Sequence, residues 1–372
     1  EFDFAGAIRV TDARAAWLWM VRDLGHDLID LDAATDDETG RAQLEAALPE
    51  LVARAKDTLI AAQSSIETTR RIRAQLGGET AWDRLPMVIS AVQTRALLGK
   101  AQEFGSATNG MTDEATLTLA LQSLPLSDPT VTALMMQAAI GHVSNPSRLI
   151  MAVIRLAGEA TEAALMRSGY GPIVDAILAH AQNQLPSMAQ IGSFGDTDLL
   201  CRAIDRYHRL MRAVIGYVEL TRGNRWANIT AALTTTISNQ LEPKLQNVPP
   251  DVTMALRRMR ETNDRLDSDQ ILSALNGMYL LSTVRDCRDS LAVNAVFDQV
   301  WNIIGQTLEL QIERNLDILR ANPMDRVTSA RLDAGLKMAE LRFNAEYAEV
   351  LRRAKDVAEK RPMPGAPQAP GA

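Results

Sequence analysis

The chain has 372 residues, 47% of them hydrophobic, which is enough to bury a sizeable core and excludes global disorder. A net charge of −7 excludes a dedicated nucleic-acid binder, which should be basic. Aromatic residues are only 4%, so the core must use Leu, Ile, Val, Ala and the 15 Met, a composition that favours helix over strand.

Helix punctuation recurs along the chain and strand alternation does not. Thr11-Asp12 opens a first helix, expected to reach about Asp32. On it Asp23, Asp27 and Asp30 fall at i, i+4 and i+7, with His26 close by. Acidic faces of this kind serve magnesium-diphosphate chemistry in all-α prenyl-transferring enzymes. That chemistry needs a second, matched acidic motif, and NDRLDSD at 263–269 lacks the spacing. After the acidic loop ATDDETG, a long helix is expected from Arg41 to Leu76, with Gly77-Gly78 as its stop. Pro49 either kinks it or begins a new helix. Pro86 begins the next, to about Phe104. Thr112-Asp113-Glu114, SDP at 127–129 and SNP at 144–146 read as helix starts. Gly169-Tyr-Gly-Pro172 ends one helix and begins another. PSMAQIGSFG, ending at Gly195, reads as a hinge. NVPPD at 247–251 reads as a break, Asp267 or Ser268 as a cap, and Asn322-Pro323 as a break. A last long helix is expected from Asp325 to about Lys360, followed by a disordered Pro/Gly/Ala tail, RPMPGAPQAPGA.

Charge is unevenly spread. Residues 22–50 hold nine acids against two bases, whereas 196–265 hold eleven bases against eight acids. Residues 115–195 contain only seven charged side chains, as expected for helices buried on most sides. The expected organisation is an acidic helical region over 1–110, charge-poor central helices over 111–190, a long-helix bundle over 196–360 and the tail at 361–372. The fold class is all-α: long-helix bundles of about twelve helices, with no significant sheet.

Two helices near the C-terminus carry the clearest patterns. Around 292–320, Asp298, Asn302, Gln306, Glu309, Glu313 and Arg320 form one narrow polar stripe. In the last helix Leu332, Leu336, Ala339, Phe343, Tyr347, Val350, Ala354 and Val357 alternate near three and four, as coiled-coil packing needs. Leu336, Phe343, Tyr347 and Val350 are the candidate interface residues on that seam.

The stretch DLLCRAIDRYHRLMRAVIGYVELTRGNRW, residues 198–226, concentrates a Cys, a His, two Asp and six Arg. An amphipathic bundle helix accounts for most of it. Asp198–Arg202 and Asp205–Arg209 are acid-first pairs four apart. Arg206, Arg212, Arg222 and Arg225 lack such partners and are the candidate anion-binding set, since the guanidinium fork suits phosphate and carboxylate. Cys201 and His208 are seven residues apart, ~10.5 Å along a helix, which rules them out as joint ligands of one metal. His142 and His180 in the charge-poor middle read as hydrogen-bonded core residues. The two cysteines, Cys201 and Cys287, have no metal-ligand spacing, and nothing in the sequence supports a bridge between them.

The function expected is a non-enzymatic helical scaffold or adaptor that self-associates, with protein partners, no nucleic acid, no cofactor, no metal and no catalytic residues. The alternatives are an anion- or phospho-ligand-binding protein or enzyme using the Arg set, and a peripheral membrane protein using the same cations on anionic lipid. Of 39 basic residues only six are Lys, the mark of a GC-rich bacterial genome. Two unpaired thiols fit the cytoplasm. No run reaches ~18 apolar residues, so no spanning helix is expected. The chain begins EFDF without Met, which leaves an upstream leader or anchor open.

Overall fold

A computed structural model describes residues 2–29, 38–189, 196–258 and 265–360. Those residues fold into seventeen α-helical segments, sixteen of them with six residues or more, and contain no strand. One isolated parallel pairing, Thr161 with Glu219, is the sole β contact among them. No described helix is long and apolar enough to cross a membrane.

In chain order the helices are α1 (Val10–Trp19), α2 (Glu38–Gln63), α3 (Ile66–Leu76), α4 (Glu79–Gln93), α5 (Arg95–Ala107), α6 (Glu114–Gln122), α7 (Pro129–Ile140), α8 (Pro146–Ala157) and α9 (Glu162–Arg167). They continue with α10 (Gly171–Gln182), α11 (Leu185–Ala189), α12 (Thr197–Ile215), α13 (Arg225–Leu256), α14 (Ser268–Cys287), α15 (Asn294–Ala321), α16 (Arg326–Arg342) and α17 (Ala345–Glu359). The expected dozen becomes seventeen because several predicted rods are cut.

The cuts are made by side chains that compete for the backbone. Between α2 and α3 the Ser64 hydroxyl donates to the Ala61 carbonyl at 3.0 Å, and the Ser65 hydroxyl accepts from the Thr68 N–H at 3.2 Å. Such local bonds end one helix and cap the next. Asn344 does the same before α17, accepting from the Tyr347 N–H at 2.7 Å, and Phe343 leaves helical geometry at φ −105°, ψ −85°. The last helix is therefore a hairpin of α16 and α17, not one rod, and the eight-residue seam is folded in two. Ser329 bonds Glu359 at 2.6 Å and Lys355 bonds Asp333 at 2.5 Å, which fixes the two helices as antiparallel.

The prolines behave in the opposite way. Pro49 and Pro86 lie inside α2 and α4, and Pro243, Pro249 and Pro250 lie inside α13. The predicted break at NVPPD is absent. A mid-helix proline costs about 3 kcal/mol. Val248, Val252, Ala255 and Leu256 around Pro249-Pro250 are all buried, at about 1.5–3 kcal/mol for each large side chain, which offsets that cost. Of the caps read from sequence, Asp128 and Asp267 accept backbone N–H bonds at their helix starts, as Asp113 and Asp325 also do, whereas the Asn145 side chain makes no such bond at the start of α8. The first helix ends early. A π-helical turn over Met20–Leu24 leads to Gly25, so Asp27 lies beyond the helix and the expected acidic face does not form. Asp27 instead accepts from Arg54 at 3.0 Å, and Asp30 lies outside the described residues. So does most of the expected hinge, residues 190–195, and the tail from 361 onward.

The chain divides into two compact units, Glu1–His180 with Leu210–Ala227, and Ala181–Arg209 with Asn228–Ala372. Each division falls inside a helix: α10, α12 or α13. The first unit holds the acidic start and the charge-poor middle as far as His180. In it α1 to α4 enclose Trp19, Leu51, Leu85 and Ile89, and the Trp19 indole N–H reaches the Gln75 amide oxygen at 3.2 Å. α5 packs closely on α7, and Gly105 makes that approach possible. In α10, Ile173, Val174, Ala176, Ile177, Leu178 and Ala179 are all buried, the direct result of a helix almost without charge. In the second unit α14, α15, α16 and α17 pack together. On α15 the polar stripe Asp298, Asn302, Gln306, Glu309, Glu313 and Arg320 is exposed, as its sequence predicts.

Candidate functional site

In the second unit α12 and α14 run side by side in one direction. The His208 ring Nδ1 lies 3.0 Å from the Ser290 hydroxyl, 82 positions on. The same offset pairs Cys201 with Thr283 by a hydrogen bond and sets Asp205 beside Cys287. Ser290 is buried and His208 half-buried, so this contact gives the buried hydroxyl a polar partner. Cys201 sits one turn behind the level of Cys287, ~6 Å along the axis. Both cysteines are free thiols.

Burial pushes the Cys287 thiol up to about 12, helped by the carboxylates of Asp205 and Asp286. Burial also raises the Cys201 thiol. A thiol whose folded pKa is raised favours the fold below the unfolded pKa, and that contribution fades as pH climbs toward about 12. At pH 8 a thiol reagent should leave Cys287 unmodified in the native protein and label both cysteines in denaturant. Native labelling of Cys287 at the rate of the denatured chain would contradict this environment. Among the described residues no group of three or more His, Cys, Asp and Glu side chains is arranged to hold a metal ion.

The four arginines singled out above do not share one environment. Arg206 belongs to the second unit, and the other three to the first. Arg206 is half-buried, and desolvation, then Arg209, draws its guanidinium below its ordinary pKa, with Asp205 opposing. Arg212 and Arg222 are exposed. Arg225 donates to Asp175 at 2.6 Å and to the Asp3 carbonyl at 3.2 Å, and its guanidinium lies 5.5 Å from the Phe4 ring. The neighbouring Trp226 indole N–H reaches the same Asp175 oxygen at 2.7 Å, and its backbone N–H reaches Glu162 at 3.2 Å. Arg225 is thus part of a joint that ties the start of α13 to α10, α9 and the N-terminal segment. The acid-first pairs Asp198–Arg202 and Asp205–Arg209 form as spaced. Of the two histidines in the middle, His180 bonds the Gln137 carbonyl at 2.8 Å, whereas His142 is exposed rather than in the core.

A cleft of about 200 Å³ opens at the start of α8, lined by Thr108, Asn109, Ser144, Asn145, Arg148 and apolar neighbours. Its polar groups are mostly taken up by partners within the protein. The Asn109 amide donates to the His142 carbonyl at 2.9 Å and accepts from the Ser144 N–H at 2.8 Å. Thr108 donates to Gly105 at 2.7 Å, and Arg148 donates to the Met111 carbonyl. In sequence only the SNP helix start marks this place. The convergence of Asn109 on it, 35 positions away, has no local signal.

The candidate interface residues are placed by the hairpin. Leu336 is buried within the second unit. Phe343 and Tyr347 meet across the turn in a tilted ring contact, with centroids 4.7 Å apart and ring planes at 51°. Val350 stays 64% exposed, and Val357, one heptad on, 71% exposed. On α15, Ile303 and Leu310 are also exposed and also seven apart. No known protein family, characterised protein or solved structure matches this chain.

Proposed function

We propose that the chain is a non-enzymatic helical scaffold or adaptor that self-associates, working in the bacterial cytoplasm. One observation carries the reading: Val350 and Val357 lie one heptad apart on α17 and are 64% and 71% exposed. Single exposed apolar residues need no explanation, but two in helical register make a stripe that another helix can cover. The groups that looked most like chemistry have internal partners instead: Arg225 with Asp175, His208 with Ser290 and Asp27 with Arg54. Free Cys201 and Cys287 suit a reducing compartment. An anion site built from Arg206, Arg212, Arg222 and Arg225 draws less support, because Arg225 already faces a buried carboxylate.

Light scattering over a concentration series tests the reading. The molar mass should rise above the 40.7 kDa of one chain as concentration increases. Val350→Lys with Val357→Lys should hold it at one chain without loss of helical signal, since both positions are solvent-facing. A mass of one chain at every concentration up to the solubility limit would overturn it.

A further inference from the structure

We infer that α17 pairs with α17 of a second copy, antiparallel, about a two-fold axis next to Ala354; this rests on the self-association proposed above. On a wheel of ~100° per residue, Val350 and Val357 lie on one stripe, with Ala354 toward the bundle side. Glu346, Arg353 and Lys360 line its solvent edge. Ala348, Lys355 and Ala358, on the other side, are buried against the rest of the chain.

The stripe reads nearly the same in both directions. An axis between residues 353 and 354 sets Val350 against the second copy's Val357, and the reverse. It places the small Ala354 where the two helices come closest. It also sets the acidic end, Glu346, against the basic end, Lys360, of the other copy, and does so twice by symmetry. A parallel pair would instead face Glu346 with Glu346 and Lys360 with Lys360. The like charge brought to the axis by Arg353 is offset within each chain, because its guanidinium bonds Glu349 at 3.4 Å. Charge complementarity therefore selects both the occupant and its direction. Two valines per copy are a small patch beside the ~800 Å² per partner of a stable complex. The pair should accordingly be weak and dependent on concentration.

The test is a charge-reversal cycle read by light scattering or sedimentation on the full chain. Glu346→Lys alone and Lys360→Glu alone should each weaken dimerisation roughly tenfold, from two symmetric repulsions. The two together should restore it to within about twofold of the parent, because attraction returns with its sign exchanged. Each reversal also opposes the helix dipole, so damage to α17 alone would add up in the double variant rather than cancel. In parallel, Ala354→Cys should give a disulfide-linked dimer under mild oxidation. Arg352→Cys on the far flank, and the parent chain, should not. If the parent dimerises but the double reversal fails to rescue and Ala354→Cys does not cross-link, the antiparallel α17 pair is wrong while self-association stands. If the parent is a monomer throughout, both readings fall.

Discussion

Replacing Asp175 with Ala should cost the first unit about 3 kcal/mol, lowering its melting temperature by roughly 6–12 °C. Asp175 is buried, and one of its oxygens takes both the Trp226 indole N–H at 2.7 Å and the Arg225 guanidinium at 2.6 Å. Trp226 is itself fully buried, so deleting the carboxylate strands an indole donor with no water to take it. Breaking a fully buried ion pair costs about 3–5 kcal/mol. Arg225 is 43% exposed, so water recovers part of its share. Arg225→Ala should therefore cost less, about 1 kcal/mol. Asp175→Asn, which keeps an acceptor for the indole, should fall between the two. Thermal melts followed by circular dichroism check the order. An Asp175→Ala protein that melts within about 2 °C of the parent would show that the joint does not hold the start of α13 in place.

The second large effect is one in which helix propensity and packing predict opposite signs. Gly105 sits inside α5, where alanine would ordinarily gain about 1 kcal/mol. A Cβ at this position would lie 2.2 Å from the Ala139 carbonyl oxygen and 2.9 Å from its carbon. These are backbone atoms of α7 and cannot rotate aside, so the two helices would have to separate. Overpacking of this kind costs about 1–3 kcal/mol and more when the backbone must move. Gly105→Ala is thus expected to destabilise by about 2 kcal/mol net. Gly99 lies on the same helix with nothing within 4 Å of its own Cβ position, so Gly99→Ala should stabilise by up to about 1 kcal/mol. Opposite signs at two glycines six residues apart would isolate the α5–α7 contact. Equal gains at both would mean that the helices do not meet at Gly105.

The all-helical class was legible because local signals agreed: few aromatics, capping aspartates at Asp128 and Asp267, and a polar stripe along α15. What misled was the weight given to single residues. Pro86 reads as a helix start and Pro249-Pro250 as a break, yet both places lie inside helices, and burial of Val248 and Val252 beside the second outweighs the lost hydrogen bonds. Ser65 and Asn344 look unremarkable inside amphipathic runs, yet each cuts a helix in two. The cut at Asn344 matters most. It divides the expected seam, sends Leu336 into the core and leaves Val350 and Val357 facing solvent. Half of that stripe could be read from spacing, whereas the fold-back that exposes it depends on one asparagine.

The candidate site divides along the same line. Pairs made within a helix turn, such as Asp205 with Arg209, follow from spacing alone. The partners of Arg225 and His208 stand 50 and 82 positions away, and no periodicity points to them. An arginine without a local carboxylate therefore reads as available for a ligand, when tertiary folding has supplied Asp175.

Amide hydrogen exchange of the full chain at low and high concentration tests most directly whether α17 is where this protein meets its partner. Exchange of the peptides over 345–360 should slow as concentration rises, while the buried segment of α10 exchanges equally slowly at both. Identical exchange over 345–360 at both concentrations, or slowing confined to another surface, would contradict the account.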